Sequence, residues 1–492
     1  MRRLFSGWLI SFAVQAGVVN GWMVSSAATQ QLDDTLKNVN KAFSGSEAGW
    51  IMTSVKNSFY TYLVLLVTAI ALVGCSTTPK PKGEAAFPPS NATSYDYPFD
   101  NSYLATVLGT PEKYRAELPK EIPLKKRKIK IFDRDVPEAL WSDAELRYSY
   151  ALQKKAAPLI FLIAGTGASY DGGKNTNMGK AFYEAGFHVV SISSPTHMNF
   201  IVSSSKSGVP GHVFEDAEDI YRVMEKIWGK LKKKIEVTDF YVTGYSLGGL
   251  NAAFVTYLDE KRQVFNFRKA LLINPPVRLY SSISLLDRML ENIPGGVDNF
   301  PLFYNKLVEE IGRVYKRVDQ LNLSEDFVYQ AFNAVDPGNE ELAALIGVSF
   351  RISSANMAFT SDLMTDAGYI KPKNVSFTKN TSPGEYDAVA HRLGFTDFFH
   401  VYFYPYHKEL NPELTRAELI GQMSLGNIED YLRSAEKIEV MHNQNDLILE
   451  PGDIDFFPRV FGDRAKIYPK GGHCGNMDYR DNVAHMVNVF RQ

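Results

Sequence analysis

From about residue 128 the chain settles into a regular alternation of apolar periods. "RKIKIFD" and "ELRYSYALQ" alternate apolar and polar positions and predict antiparallel strands. "APLIFLIAGTG" is instead a continuous apolar run ending in glycine, the pattern of a strand covered on both faces. "GGKNTNMGKAFYEAG" then predicts a helix and "FHVVSISSP" another buried strand. "HVFEDAEDIYRVMEKIWGKLKKK" predicts a long amphipathic helix, with acids early and lysines late as the helix dipole favours. "DFYVTGYS", "LGGLNAAFVTYLDEKR" and "RKALLINPP" continue as strand, helix and strand. Such alternation predicts an α/β domain, a mostly parallel sheet with helices on both faces.

The alternation stops at about residue 276. Up to residue 432 the pattern is mostly helical, in "SISLLDRMLENI", "NKLVEEIGRVYKRV", "SEDFVYQAFNAV" and "NEELAALIGVSFRISSANMAFTSDLM". Then "EKIEVMHNQND" resumes as a strand, "DIDFFPRVFG" as a helix, "AKIYPKGGH" as a strand, and "YRDNVAHMVNVFRQ" as a closing helix. The simplest organisation is one α/β core, residues 128–275 and 433–492, interrupted by a large helical cap at 276–432. An insertion there is expected over the carboxyl ends of the strands, where open α/β sheets bind ligands. The cap segment "FTDFFHVYFYPYH" is aromatic; by default it forms the cap's own core, and the alternative is the wall of an apolar acyl pocket.

The first hundred residues follow other rules. Phe59 to Gly74 is an uncharged apolar run behind Lys56, shorter than the roughly 20 residues a bilayer-spanning helix needs. It ends at Cys75, with Ser76 next. This arrangement resembles the lipobox of bacterial lipoproteins. The resemblance implies that the Cys75 thiol is acylated and begins the mature chain, at the cell envelope and by preference the outer membrane; a retained signal anchor is the other reading. Residues 1–74 are then a leader, but "MRRLFSGWLISFAVQAGVVNGWMV" is itself a positive start before an apolar stretch. Either Met52 is the real start or the chain carries two hydrophobic segments. The first suits the lipobox better, since an internal one could not work behind a folded or inserted leader. After Cys75, "STTPKPKGEAAFPPSNATS" has little to bury and predicts a flexible tether, with residues 75–127 forming tether and lead-in.

Composition narrows the function classes. With 492 residues, 45% of them hydrophobic, there is ample material for a large core. A formal net charge of −2 does not suggest a nucleic-acid-binding surface, though it leaves room for a local basic patch. The two cysteines, Cys75 and Cys474, cannot make a disulfide framework or a cysteine-based metal site, and Cys474 reads as a small packing residue.

Chemistry enters at "YVTGYSLGGL". Gly244-Tyr245-Ser246-Leu247-Gly248 matches G-x-S-x-G, a weak signal alone and a strong one between a strand and a helix. Such a turn forces the serine into a strained backbone and leaves no room for side chains two residues away, hence the glycines. Its hydroxyl is then exposed at the head of a helix whose first amides stabilise negative charge. The hydroxyl needs a base, and the base a carboxylate to orient it. Of nine histidines, His473 lies in the glycine-rich loop "YPKGGHCGN" straight after the last strand. His188 and His442 lie within strands, His485 on the closing helix, and His391, His400 and His407 in the cap. In "HNQNDLILEPGD", Asp446 is the first acid after the strand; Glu450 and Asp453 follow and could cap the next helix, or serve in its place.

Taken together, "GYSLGG", "NQNDLILEPGD" and "GGHCG" resemble the nucleophile, acid and histidine loops of the α/β-hydrolase superfamily. The resemblance covers residues 128–275 and 433–492, with the insertion as the variable cap. It implies Ser246 as nucleophile, His473 as general base and Asp446 as the residue orienting the imidazole. It implies an oxyanion hole from the amide of Leu247 and one from "AGTGAS", best matched by Thr166. There the chain departs from the pattern, with Ala164 where many members carry histidine. The implied reaction is acyl transfer to water through an acyl-serine, needing no metal or organic cofactor. A small-molecule or lipid ester is the expected substrate. A serine peptidase of the same fold, or a silent envelope lipoprotein that binds through its cap, are the rivals.

Overall fold

The computed structural model describes residues 95–491 except 292, 294–295, 297–337, 383–385 and 387–388. The leader, Cys75 and the tether through residue 94 lie outside the described residues, as do the cap segments "NKLVEEIGRVYKRV" and "SEDFVYQAFNAV".

Among the described residues eight strands form one sheet: β1 (Lys125–Ile129), β2 (Leu146–Ala151), β3 (Ala157–Ile163), β4 (His188–Ile192), β5 (Val237–Tyr245), β6 (Lys269–Ile273), β7 (Ile438–Asn443) and β8 (Ala465–Tyr468). They lie in the order β1-β2-β4-β3-β5-β6-β7-β8. β2 is antiparallel to both neighbours, as the alternating first segments imply, and β3 to β8 pair in parallel. The helices ahead of the cap are α1 (Ser102–Leu108), α2 (Gly173–Glu184), α3 (Met198–Ser203), α4 (Val213–Leu231) and α5 (Leu247–Arg262). Those of the cap are α6 (Leu279–Arg288), α7 (Asn339–Thr365), α8 (Phe395–Phe398), α9 (Tyr404–Leu410), α10 (Arg416–Gln422) and α11 (Glu429–Ser434). α12 (Phe456–Phe461) and α13 (Arg480–Val489) complete the core.

The continuous apolar strands make sense residue by residue. Successive side chains of a strand point to opposite faces, so a strand between two helix layers must be apolar throughout. In β3, Leu159, Phe161 and Ile163 face one core with Ile220 and Met224 of α4 and Leu250 and Phe254 of α5. Ile160 and Leu162 face the other, with Met178 and Phe182 of α2 and Val483 and Val487 of α13. Each such buried side chain contributes about 1.5–3 kcal/mol. α4 carries Glu215 and Asp216 in its first turn and Lys230 in its last, and the lysines after it are exposed. At the outer edge, Lys125, Lys126, Arg127 and Lys128 of β1 are all exposed.

α7 is 27 residues long and apolar enough to cross a membrane by length and composition, yet most of it is buried in the fold. The lead-in contributes more structure than the sequence suggested. Tyr97, Phe99 and Ala105 are buried against Tyr479, and α1 lies over the loop that carries His473. Its aromatic residues are too scattered to show a period, so their burial was not legible as an element.

Candidate active site

Strand β5 ends at Tyr245 and helix α5 begins at Leu247, leaving Ser246 alone in the bend with φ 55° and ψ −127°. A non-glycine residue there stores roughly 1–3 kcal/mol of strain. The bend is held by Ser246 N donating to Ile273 O at 2.8 Å and Gly249 N donating to Ser246 O at 2.9 Å. The flanking glycines are required by space. A Cβ on Gly244 would strike the Gly248 carbonyl, and one on Gly248 the carbonyls of Ile163 and Ala164.

The three loops named from the sequence converge. His473 Nε2 lies 2.9 Å from Ser246 Oγ, and His473 Nδ1 lies 3.1 Å from each Asp446 carboxylate oxygen. All three residues are buried. A carboxylate only accepts, so Nδ1 carries the imidazole proton and Nε2 is left to accept from the serine hydroxyl. Burial opposes a charge on His473, but the Asp446 carboxylate outweighs it and raises the imidazole's pKa above its ordinary 6.5. Burial likewise opposes ionisation of Asp446; the charge and hydrogen bond of His473 prevail and hold its pKa below the ordinary value. Asp446 also accepts from Asn274 Nδ2 at 2.8 Å and from Ile448 N at 3.1 Å. The fold is an α/β-hydrolase fold: a serine elbow between strand and helix at the carboxyl edge of the sheet, with acid and histidine following in that order.

Thr166 and Leu247 both line one cavity of roughly 460 Å³, open solvent at its mouth included. Leu247 is the first residue of α5, so its N–H has no carbonyl to meet inside the helix. Thr166 sits in a tight turn closed by Ala168 N donating to Gly165 O at 3.0 Å. That turn is braced by Gly167 N donating to Thr196 Oγ1 at 2.8 Å, and Gly167 (φ 67°) packs so closely on Ser353 of α7 that a Cβ would collide. Thr196 lines it too, and the rest of the lining is apolar: Leu279, Ile283, Met357, Phe395, Phe398, Phe399, Phe403 and Met423 from the cap, with Pro210 and Gly211 beside them. The phenylalanines of the cap's aromatic segment thus line this cavity and also join the main core. A π-helical turn at Phe399–Phe403 carries two of them. Such wide turns recur at functional sites.

The other candidates take structural positions. His442 is buried with its ring 4.5 Å from that of Phe457, and its Nε2 lies 3.1 Å from Pro275 O. His188 accepts from Gln153 N at 3.0 Å. Glu450 and Asp453 do not reach the triad; they pair with Arg288 of α6 and with Arg278 beside it, tying cap to core. Cys474 is buried with φ 59°, its Sγ 3.8 Å from His473 Nε2. Asn274 was missed. Its signal was an asparagine directly after an apolar strand and before two prolines, a place where a positive φ (here 45°) suits asparagine.

No family model matches the chain, and no curated protein does. Among solved structures, it is similar to fungal esterases from Rhizomucor miehei, at TM-score 0.37 and 12% identity over 76% of this chain and 84% of theirs. A putative lipase from Acinetobacter baumannii gives TM-score 0.36 and 14% identity over 75% of this chain and 92% of its own. An acylaminoacyl peptidase from Pyrococcus horikoshii gives 0.35 and 12% over 75% and 40%. At such scores the chemistry rests on the geometry of this chain alone.

Proposed function

We propose that the protein is a serine hydrolase that cleaves carboxylic esters with an apolar acyl group, held at the bacterial cell envelope by lipid on Cys75. The observation that carries the chemistry is the chain of contacts from Ser246 through His473 to Asp446, set beside a cavity whose walls are almost wholly apolar. His473 Nε2 takes the hydroxyl proton as Ser246 Oγ attacks the ester carbonyl. Asp446 holds the imidazole in the required tautomer and stabilises the imidazolium that forms. The amides of Leu247 and Thr166 receive the negative charge on the carbonyl oxygen. His473 then gives its proton to the departing alcohol, and water repeats the sequence on the acyl-serine.

The lining favours an acyl chain or aromatic acyl group over an aminoacyl one, because among the described residues no carboxylate lines the cavity to meet an ammonium. With a series of 4-nitrophenyl esters, kcat/KM rises with acyl length until the cavity is filled and then falls. Met357→Trp, which fills the cavity, shortens the preferred chain and costs the longest ester about 10-fold or more. Faster cleavage of aminoacyl amides than of any ester in the series would replace this reading with a peptidase. The anchor is tested separately. Radiolabelled palmitate is incorporated into the full chain in a bacterial host, and Cys75→Ser abolishes it; label retained in that variant would remove Cys75 as the attachment point.

A further inference from the structure

We infer that the segment just behind the tether is part of the catalytic apparatus, and that Thr106 on α1 is a positioning residue for His473. The inference rests on the hydrolase reading above. Nothing in the hydrolase pattern calls for a helix ahead of β1, yet α1 is pressed onto the histidine loop.

Thr106 Oγ1 accepts a hydrogen bond from His473 N at 2.8 Å and donates to Ser102 O at 2.7 Å. A buried backbone amide beside a catalytic side chain is thereby satisfied by a hydroxyl from outside the core. The contact is too close to be incidental. Gly472 (φ 56°) meets Ser102 O and Thr106, and Gly475 meets Ala105 O, so tightly that neither position could hold a Cβ. Thr110 Oγ1 adds a bond to Gly475 O at 2.9 Å. The glycines on both sides of His473 are thus shaped by α1, and the helix fixes the loop's height above Ser246. α1 also reaches the cap. Asn101 Nδ2 donates to Asn339 Oδ1 at 2.6 Å, and Val107 shares a core cluster with Leu342 and Ile346 of α7. One short helix therefore touches both the histidine loop and the cap.

The test compares Thr106→Val, which keeps the shape and loses the hydroxyl, with Thr106→Ser, which keeps the hydroxyl, in the otherwise intact protein. Thr106→Val lowers kcat on a 4-nitrophenyl ester about tenfold with KM little changed, and Thr106→Ser recovers it to within about twofold. The low-field proton resonance of the His473–Asp446 hydrogen bond, read without substrate, shifts or broadens in Thr106→Val and returns in Thr106→Ser. Wild-type kcat and resonance in Thr106→Val would overturn the inference. So would a Thr106→Ser variant as impaired as Thr106→Val, which would mark the site as packing alone. Should the wild type cleave no ester, the hydrolase reading falls and the resonance by itself decides the role of Thr106.

Discussion

Ser246→Ala lowers kcat on a good ester by about 10⁶-fold and abolishes labelling by a fluorophosphonate probe. The size follows from the way the groups act together. Without Oγ there is no atom for His473 to deprotonate and nowhere to store the acyl group, so the imidazole at 2.9 Å loses its task as well. For the same reason Ser246→Ala combined with His473→Ala is no slower than either change alone. A residual rate of about 10³–10⁴ over the uncatalysed reaction survives, supplied by substrate binding and by the amides of Leu247 and Thr166. The fold is untouched, because the bend is held by main-chain bonds and, among the described residues, the hydroxyl bonds only to His473. A variant retaining more than a hundredth of wild-type kcat, or still taking up the probe, would exclude Ser246 as the nucleophile.

Asp446→Asn is the next largest effect, about 10⁴-fold in kcat, with a change in pH dependence that a merely structural substitution would not give. The wild-type base works only when neutral. Because Asp446 raises the His473 pKa, kcat/KM climbs with pH along a limb whose midpoint lies above 6.5. Asparagine removes the charge that does most to oppose burial, and only the influence of Cys474 is left to favour the imidazolium. The midpoint then moves to lower pH while the plateau drops. The amide also offers an N–H to Nδ1, favouring the wrong tautomer. A pH profile of kcat/KM decides it: an unmoved midpoint would mean that the Asp446 carboxylate does not set the histidine.

The core of the fold and the centre of the site were legible because both are repeated locally. The two faces of β3, the amphipathic period of α4 and the glycines around Ser246 each leave a mark within a few residues. The acid and the histidine were legible as the first suitable side chains after β7 and in the loop after β8. What stayed hidden was the support around them. Asn274, Thr106 and Thr196 act through single bonds to groups far away in the chain, and nothing in their immediate neighbours announces a partner. That the cap phenylalanines sit in the core and along the cavity at once was hidden too, since a period of 3.6 marks a buried stripe without saying what lies against it.

The cationic run of β1 bears on how the protein behaves at high concentration. Among the described residues it is the last strand on its side of the sheet, where main-chain donors and acceptors could recruit a strand from another copy. Two such borders brought together would set Lys125, Arg127 and Lys128 against their own kind at roughly 5 Å, while Lys126 is paired with Asp171. This mutual repulsion blocks fibril-like growth from that side, and it weakens as added salt screens it.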